Sequence, residues 1–142
     1  MKMNWTIWTL ASLALATGVA HADVYNVELE GMAFIYNGQT NTNIDLTIQT
    51  GDTVRWTWIS GFHNVVSGLP GDGDAGDLFT SGPPTGTVGT VFEHTFTDVG
   101  LFDYHCQIHA SLGMISQVNV IPSPGSLALL APVGLFARGR RR

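Results

Sequence analysis

The sequence LFDYHCQIHASLGMISQVNV, residues 101–120, contains two runs of alternating side chains separated by a short loop. A period of two is typical of β-strands, because successive side chains of a strand point to opposite faces of the sheet. In the first run Tyr104 and Cys106 share one face, and His105 points to the other. Met114 begins the inward-facing series of the second run. Cys106 and Met114 are therefore predicted to flank one tight loop and to point into the same core.

The same alternation recurs through the middle of the chain, where no convincing amphipathic helix interrupts it. Turns rich in glycine and aspartate separate the alternating segments, while residues 68–89, rich in Gly, Pro and Asp, are predicted to form a long surface loop. Several short strands within about one hundred residues are typical of an all-β, antiparallel β-sandwich. The predicted strands are Val24–Glu30, Ile44–Ile48, Thr53–Trp58, Val91–Phe96, Leu101–Cys106 and Met114–Val120.

The first 22 residues have the pattern of a secretory signal peptide. Lys2 precedes an apolar run, residues 7–16, and Ala20-His21-Ala22 supplies the small-residue pattern of a cleavage site. The apolar run is too short to cross a bilayer comfortably, since crossing takes about 20 residues. We therefore expect an exported protein, in the periplasm, at the cell surface or in the extracellular matrix of a bacterium, with its folded domain at residues 23–121.

The last 21 residues, 122–142, form a second targeting pattern. A Pro-Ser-Pro-Gly turn precedes an apolar segment, residues 126–137, and an arginine-rich end, residues 138–142. This arrangement resembles the PEP-CTERM sorting signal, although Ser123 stands where that name places glutamate. The resemblance implies processing by an exosortase-type enzyme and only transient contact with the membrane. A plain tail anchor is the alternative.

The charge of the predicted domain is strongly negative. All eleven acidic residues of the chain lie within residues 23–121, which contain a single basic residue, Arg55, so this part carries about −10 while the whole chain carries −5. Nucleic acid is excluded as a partner, because phosphate backbones are bound by Lys and Arg. The acidic field favours solubility and a cationic protein partner.

Four side chains supply soft and borderline metal donors. Cys106 is the only cysteine of the chain, so it forms no intramolecular disulfide, and a lone thiol in an exported protein is best explained by metal ligation. His109 and Met114 follow it closely, and His63 lies upstream. Two imidazoles, a thiolate and a weak axial thioether are the ligand set of a blue copper site, since sulfur suits Cu(I) and imidazole suits both oxidation states.

Other uses of these residues fit less well. Structural zinc prefers four Cys or His ligands, and methionine is a poor zinc ligand. Thiol catalysis by a Cys–His pair would leave Met114 without a role and has no obvious orienting carboxylate. We therefore predict no catalytic residue and one type 1 copper centre that cycles between Cu(I) and Cu(II).

These motifs resemble the plastocyanin branch of the cupredoxins. The resemblance rests on the ligand loop from Tyr104 to Met114, on Gly51-Asp52-Thr53-Val54, and on His63-Asn64-Val65-Val66. It covers about residues 44–120 and implies a Greek-key β-sandwich of about eight strands with the metal under one end. It also implies the ligands His63, Cys106, His109 and Met114. In this family Asn64 would tie the two ligand loops together by hydrogen bonds.

Two positions are candidate routes for electrons. Leu112 belongs to the apolar surroundings expected around the exposed edge of His109, which is the predicted exit port. His105 is predicted to be exposed beside Cys106, either as a second port or as an ordinary surface histidine. His-Cys pairs also occur in copper oxidases and nitrite reductases, but those enzymes need further His-rich motifs that this chain lacks.

Two further features have plain structural explanations. His94 shares its strand face with Phe92 and Phe96, so we expect a half-buried structural histidine and not a ligand. Three aspartates, Asp72, Asp74 and Asp77, suggest a calcium-binding site, but the loop lacks the later bidentate glutamate of an EF-hand. A solvated acidic turn is the expected reading of this loop.

The sequence therefore predicts an exported one-electron carrier and not an enzyme, with redox proteins such as a cationic c-type cytochrome as its partners. The alternative is a copper-binding surface or extracellular-matrix module without fast electron transfer. A fragment of a copper oxidase or reductase ranks third, because it would require a second copper ion.

Overall fold

The computed structural model describes residues 21–39 and 44–124 and consists mainly of β-strands, with a short 310 helix at Ala110–Leu112. Almost all of the predicted signal peptide and of the predicted tail lies outside these residues. Within them, no helix is long and apolar enough to cross a bilayer. The strands are Val24–Glu30 (β1), Ala33–Ile35 (β2), Asp45–Gln49 (β3), Thr53–Trp58 (β4), Val66–Ser67 (β5), Val91–Thr95 (β6), Gly100–His105 (β7) and Ile115–Ile121 (β8).

The eight strands form two four-stranded sheets, in the orders β2-β1-β4-β6 and β3-β8-β7-β5. The predicted all-β sandwich is therefore confirmed, and six of the eight strands lie within one residue of a predicted segment at each end. The two remaining strands, β2 and β5, have three and two residues, which is too short for a period of two to be recognised.

The expectation of a purely antiparallel sandwich is wrong at two strand pairs. β1 runs parallel to β4, with Val27 opposite Trp56, and β3 runs parallel to β8, with Leu46 opposite Val118. The reason is topological. Because β3 lies in the opposite sheet, the chain leaves the first sheet after β2 and returns at β4 in the direction of β1.

Alternation along the strands places the core between the two sheets. β4 alternates strictly, with Val54, Trp56 and Trp58 buried and the residues between them partly exposed. The opposite sheet contributes Tyr104, whose ring meets Trp56 edge-on at 5.3 Å between centroids. Burial raises the pKa of Tyr104 to about 12, so its phenol stays protonated. Large aromatic side chains thus fill the space directly behind β7, the strand that precedes Cys106.

The long loop after β5 is confirmed, and one side chain anchors it. Phe79 is buried and stacks on Trp56 at 5.7 Å, whereas Leu69 and Leu78 of the same loop are exposed. His94 is half-buried, with its ring 4.5 Å from Phe79, and burial lowers its pKa. This agrees with the structural role predicted for His94.

The aspartates of the loop remain at the surface. Asp72 accepts a hydrogen bond from the backbone of Leu69 at 2.9 Å, and Asp74 and Asp77 are exposed. Among the described residues, the acidic loop forms no cluster of donor atoms close enough to hold a metal ion. The solvated acidic turn is therefore the better description.

Candidate metal centre

The loop between β7 and β8 closes on itself through backbone hydrogen bonds. The N–H of Cys106 donates to the carbonyl of Met114 at 3.1 Å, and the N–H groups of His109 and Met114 donate to the carbonyls of Cys106 and His109. Gly113 ends the 310 helix in the left-handed region, φ 91°, which turns the chain back toward β8. Three of the predicted ligands are thereby brought together by local structure alone.

His63 reaches this loop from the connection between β4 and β5. Its backbone exchanges two hydrogen bonds with Thr85, at 3.0 and 2.8 Å, and its carbonyl also accepts one from the indole of Trp58 at 3.0 Å. The side chain is fully buried. The position of His63 therefore depends on tertiary contacts, since Thr85 and Cys106 are both distant from it in sequence.

Three donor atoms meet at this point. The Sγ of Cys106 lies 3.9 Å from Nδ1 of His63 and 3.7 Å from Nδ1 of His109, and the two nitrogens are 3.2 Å apart. A metal ion at the usual bond lengths, about 2.0 Å to nitrogen and about 2.3 Å to sulfur, would fit among these three atoms. His63, Cys106 and His109 could therefore hold one metal ion together.

The buried histidine presents the correct nitrogen. Nε2 of His63 donates to the carbonyl of Ser60 at 2.9 Å, which leaves the lone pair of Nδ1 facing the other two donors. Burial lowers the pKa of His63, and the Ser60 hydrogen bond opposes this only in part. The ring is therefore held neutral, which is the form that binds a metal ion.

Met114 is buried immediately before β8. Its backbone carbonyl accepts the N–H of Cys106, its N–H donates to the carbonyl of His109, and its side chain is fully covered. Cys106 is fully buried as well. Both sulfur atoms are therefore shielded from water.

Asn64 joins the loops that carry His63 and Cys106. Its Oδ1 accepts the N–H of Gln107 at 3.0 Å, and its Nδ2 donates to Oε1 of Gln107 at 2.7 Å and to the carbonyl of Gly82 at 3.1 Å. One side chain thus links three segments of the chain. The part played by the Gln107 side chain was not predicted, since nothing in the sequence pairs it with Asn64.

The other face of the site reaches the surface. His109 is half-buried, and three exposed apolar side chains adjoin the ligand residues: Phe62 precedes His63, Ile108 precedes His109, and the N–H of Leu112 donates to the carbonyl of His109. We call Phe62, Ile108 and Leu112 the apolar rim. Leu112 is exposed over 58% of its surface.

The predicted exposure of His105 is wrong. Only 4% of its surface is accessible, and its Nδ1 lies 2.7 Å from the carbonyl oxygen of Gly68. Its outward direction on β7 was correct, but β5 pairs with β7 at Val66, and the turn at Gly68 covers that face. Both faces of β7 are covered at this end, so the alternation of side chains along the strand no longer indicates which of them are exposed.

Comparison with known proteins agrees with this geometry. Residues 25–121 match the family model of copper-binding proteins of the plastocyanin/azurin family. Chloroplastic plastocyanin of Chlamydomonas reinhardtii is 32% identical over 120 residues, covering 79% of this chain and 76% of that protein. Chloroplastic plastocyanin of Tetradesmus obliquus is 29% identical over 130 residues, covering 79% and 83%.

A solved structure gives the same result. The purple cupredoxin of Nitrosopumilus maritimus superposes with a TM-score of 0.51 and 31% identity, over 68% of this chain and 99% of that one. The His-Cys-His group, in a copper-binding family, is consistent with a type 1 copper centre, so copper is the cofactor. The chain belongs to the plastocyanin/azurin family of copper-binding proteins.

Proposed function

We propose that the protein carries single electrons between redox partners through one copper ion held by His63, Cys106, His109 and Met114. The observation that carries this proposal is the meeting of three donor atoms from two distant segments within 4.8 Å of one another. Family membership agrees with a carrier and not an enzyme.

Copper supplies a one-electron couple, and the protein's part is to limit rearrangement around it. Both ligand segments are held by hydrogen bonds that do not involve the donor atoms: Thr85 and Trp58 fix His63, and Asn64 fixes the loop after Cys106. A site whose ligands are held in place changes little between oxidation states. Little structural change lowers the barrier to electron transfer.

The proposed port for electrons is the half-buried edge of His109 within the apolar rim. An apolar surface of this kind lets a partner approach closely without leaving charged groups desolvated. Because His105 is buried, we do not assign it a direct contact with a partner. Any route through it would pass along the chain from Cys106 and across its contact with Gly68.

The acidic loop supports a cationic partner, such as a c-type cytochrome. Asp72, Asp74, Asp77 and Asp103 line a groove of about 290 Å³ beside β7, the strand that leads to Cys106. Negative charge at this place raises the rate of encounter with a positive surface. Export, removal of residues 1–22 and exosortase processing of residues 122–142 complete the proposal and rest on the sequence patterns alone.

Addition of Cu(II) to the purified protein tests the copper site. We expect an intense blue or violet colour from the thiolate ligand, absent in Cys106→Ala and retained in His94→Gln, which removes a histidine outside the donor cluster. A colourless wild-type protein, or equal colour in Cys106→Ala, would overturn the assignment.

Stopped-flow mixing with a reduced c-type cytochrome then tests the carrier role. We expect fast electron exchange that slows as salt is added. Copper bound without fast exchange would instead indicate the surface or matrix module.

A further inference from the structure

The turn before His63 lies unusually close to the ring of that histidine. Gly61 has φ +89°, and a Cβ built on it would lie 2.4 Å from Nε2 of His63 and 3.2 Å from the carbonyl oxygen of Gly31. Contacts under 3 Å essentially never occur for a real Cβ. The imidazole ring therefore occupies space that every other residue type at position 61 would fill.

The same turn is supported from behind by the connection between β1 and β2. Ser60 donates its N–H to the carbonyl of Leu29 at 3.2 Å, and its Oγ accepts the N–H of Gly31 at 3.3 Å. Its carbonyl oxygen accepts Nε2–H of His63 at 2.9 Å. Ser60 thus links the β1–β2 turn to the outer edge of the His63 ring through hydrogen bonds.

We propose that Gly61 is a positioning residue for His63. The missing side chain lets the ring lie against the turn, with Nε2 on the Ser60 carbonyl and Nδ1 among the donor atoms. The consequence for copper rests on the proposed function. The effect on the orientation of the ring does not, because it follows from the contacts of the metal-free protein.

A displaced ring has little room to adapt. His63 is fully buried, its backbone is fixed by Thr85 and Trp58, and its inner edge faces Sγ of Cys106 at 3.9 Å and Nδ1 of His109 at 3.2 Å. Because an imidazole is rigid, pressure on Nε2 turns or shifts Nδ1. A side chain at position 61 would therefore disturb the trigonal donor set.

Gly61→Ala tests the proposal, and Gly71→Ala is its matched control. Gly71 has φ +94°, so alanine there suffers similar backbone strain, but no atom lies within 4 Å of the added Cβ. We expect both variants to melt at a lower temperature than the wild type. Only Gly61→Ala should lose Cu(II) affinity, by about 10- to 100-fold, and show a shifted visible spectrum.

A measurement without metal separates orientation from copper binding. In ¹⁵N spectra of the metal-free protein, the wild type and Gly71→Ala should show a slowly exchanging Nε2–H of His63, and Gly61→Ala should lack it. Equal ring signals and equal copper affinity in the two variants would overturn the proposal. A wild type that takes up no copper would defeat the proposed function, while the ¹⁵N comparison would still decide this inference.

Ser60→Ala covers the case in which Gly61→Ala fails to fold. It removes the Oγ that binds Gly31 but adds no steric conflict, so the protein should fold with faster exchange of the His63 Nε2–H. Unchanged exchange in Ser60→Ala, together with an unfolded Gly61→Ala, would overturn the proposal.

Discussion

Asn64 and Gln107 exchange two hydrogen bonds across the gap between the two ligand segments. The backbone N–H of Gln107 donates to Oδ1 of Asn64 at 3.0 Å, and Nδ2 of Asn64 donates to the side-chain oxygen of Gln107 at 2.7 Å. Asn64 follows His63 and Gln107 follows Cys106, so this pair links the two segments that carry the proposed ligands His63 and Cys106. Side chains that orient metal ligands commonly matter nearly as much as the ligands themselves.

The first prediction concerns the side chain of Gln107. Gln107→Ala keeps the backbone bond to Asn64 but removes one of the two acceptors of the Asn64 amide, so the two segments should separate more easily. We expect Cu(II) affinity to fall by about 10-fold, the lower end of the range for such partners. Competition titration against a copper chelator measures this change.

Gln117→Ala is the matched control for that variant. It removes a comparable side-chain hydrogen bond, from Nε2 of Gln117 to Asp103 at 2.8 Å, between β8 and β7. Both variants should lose about 0.5–1.5 kcal/mol of unfolding free energy without metal. Equal copper affinities in the two variants would contradict the role given to Gln107.

The local half of the site was predictable because strand alternation and loop length operate over few residues. Cys106, His109 and Met114 lie within nine residues, and the inward direction of Cys106 and Met114 follows from the period of β7 and β8. The copper chemistry follows from the residue types. A single cysteine with two imidazoles and a thioether leaves few alternatives.

The tertiary half was not predictable, since it depends on which segments cover one another. The burial of His105 requires β5 and the turn at Gly68 to lie on the outer face of β7. The close approach of Gly61 to His63 likewise requires the β1–β2 turn behind it. A single sequence shows neither arrangement, because the contacts that support them, between Gly68 and His105 and between Gly31 and Ser60, join residues 37 and 29 positions apart.

The second prediction concerns the apolar rim. Leu112→Lys places a charge beside the exposed edge of His109, where it must be desolvated when a partner docks. We expect a rate of electron transfer about 10-fold lower, from a cost of about 1.4 kcal/mol in docking, with the visible spectrum unchanged.

Val99→Lys provides the comparison for Leu112→Lys. Val99 is exposed to the same degree, 58%, but it lies just before β7, at the opposite end of that strand from Cys106, and it does not line the acidic groove. The two variants have the same net charge. If Val99→Lys slowed electron transfer as much as Leu112→Lys, the port would not be at His109.

The third prediction concerns the acidic loop. Neutralising Asp72, Asp74 and Asp77 to Asn should lower the rate with a cationic c-type cytochrome by about 10-fold at low salt, the lower end of electrostatic steering. The difference should vanish near 1 M salt, where the screening length is about 3 Å. Stopped-flow rates over a salt series measure both effects.

Neutralising Glu28, Glu30 and Asp45 separates local charge from net charge. These exposed residues lie on β1 and β3, away from the loop, and their replacement by amides changes the total charge by the same amount. A salt dependence reduced equally by both triple variants would show that the whole field of the protein, and not the loop, guides the partner.

The fourth prediction concerns the pH dependence of stability and the ring of His94. This ring lies 4.5 Å from Phe79 and 4.8 Å from Phe96, beside a small cavity lined by Asp98 and Phe102, and burial lowers its pKa below 6.5. As the pH falls below 6.5, His94 of the unfolded chain binds a proton, whereas His94 of the folded protein stays neutral to a lower pH. The contribution of neutral His94 to the free energy of unfolding is therefore complete above the pKa that His94 has in the unfolded chain. It is lost as the pH falls through the lower pKa of His94 in the folded protein.

His94→Gln removes this titration while keeping a polar side chain of moderate size. Urea unfolding of the metal-free protein between about pH 7.5 and 5 should show a shallower loss of stability in the variant than in the wild type. His63 titrates in both proteins with the same lowered pKa, so the difference between the two curves belongs to His94. Parallel curves would mean that the His94 ring accepts its proton in the folded state without cost, and that its packing on Phe79 and Phe96 does not hold it neutral.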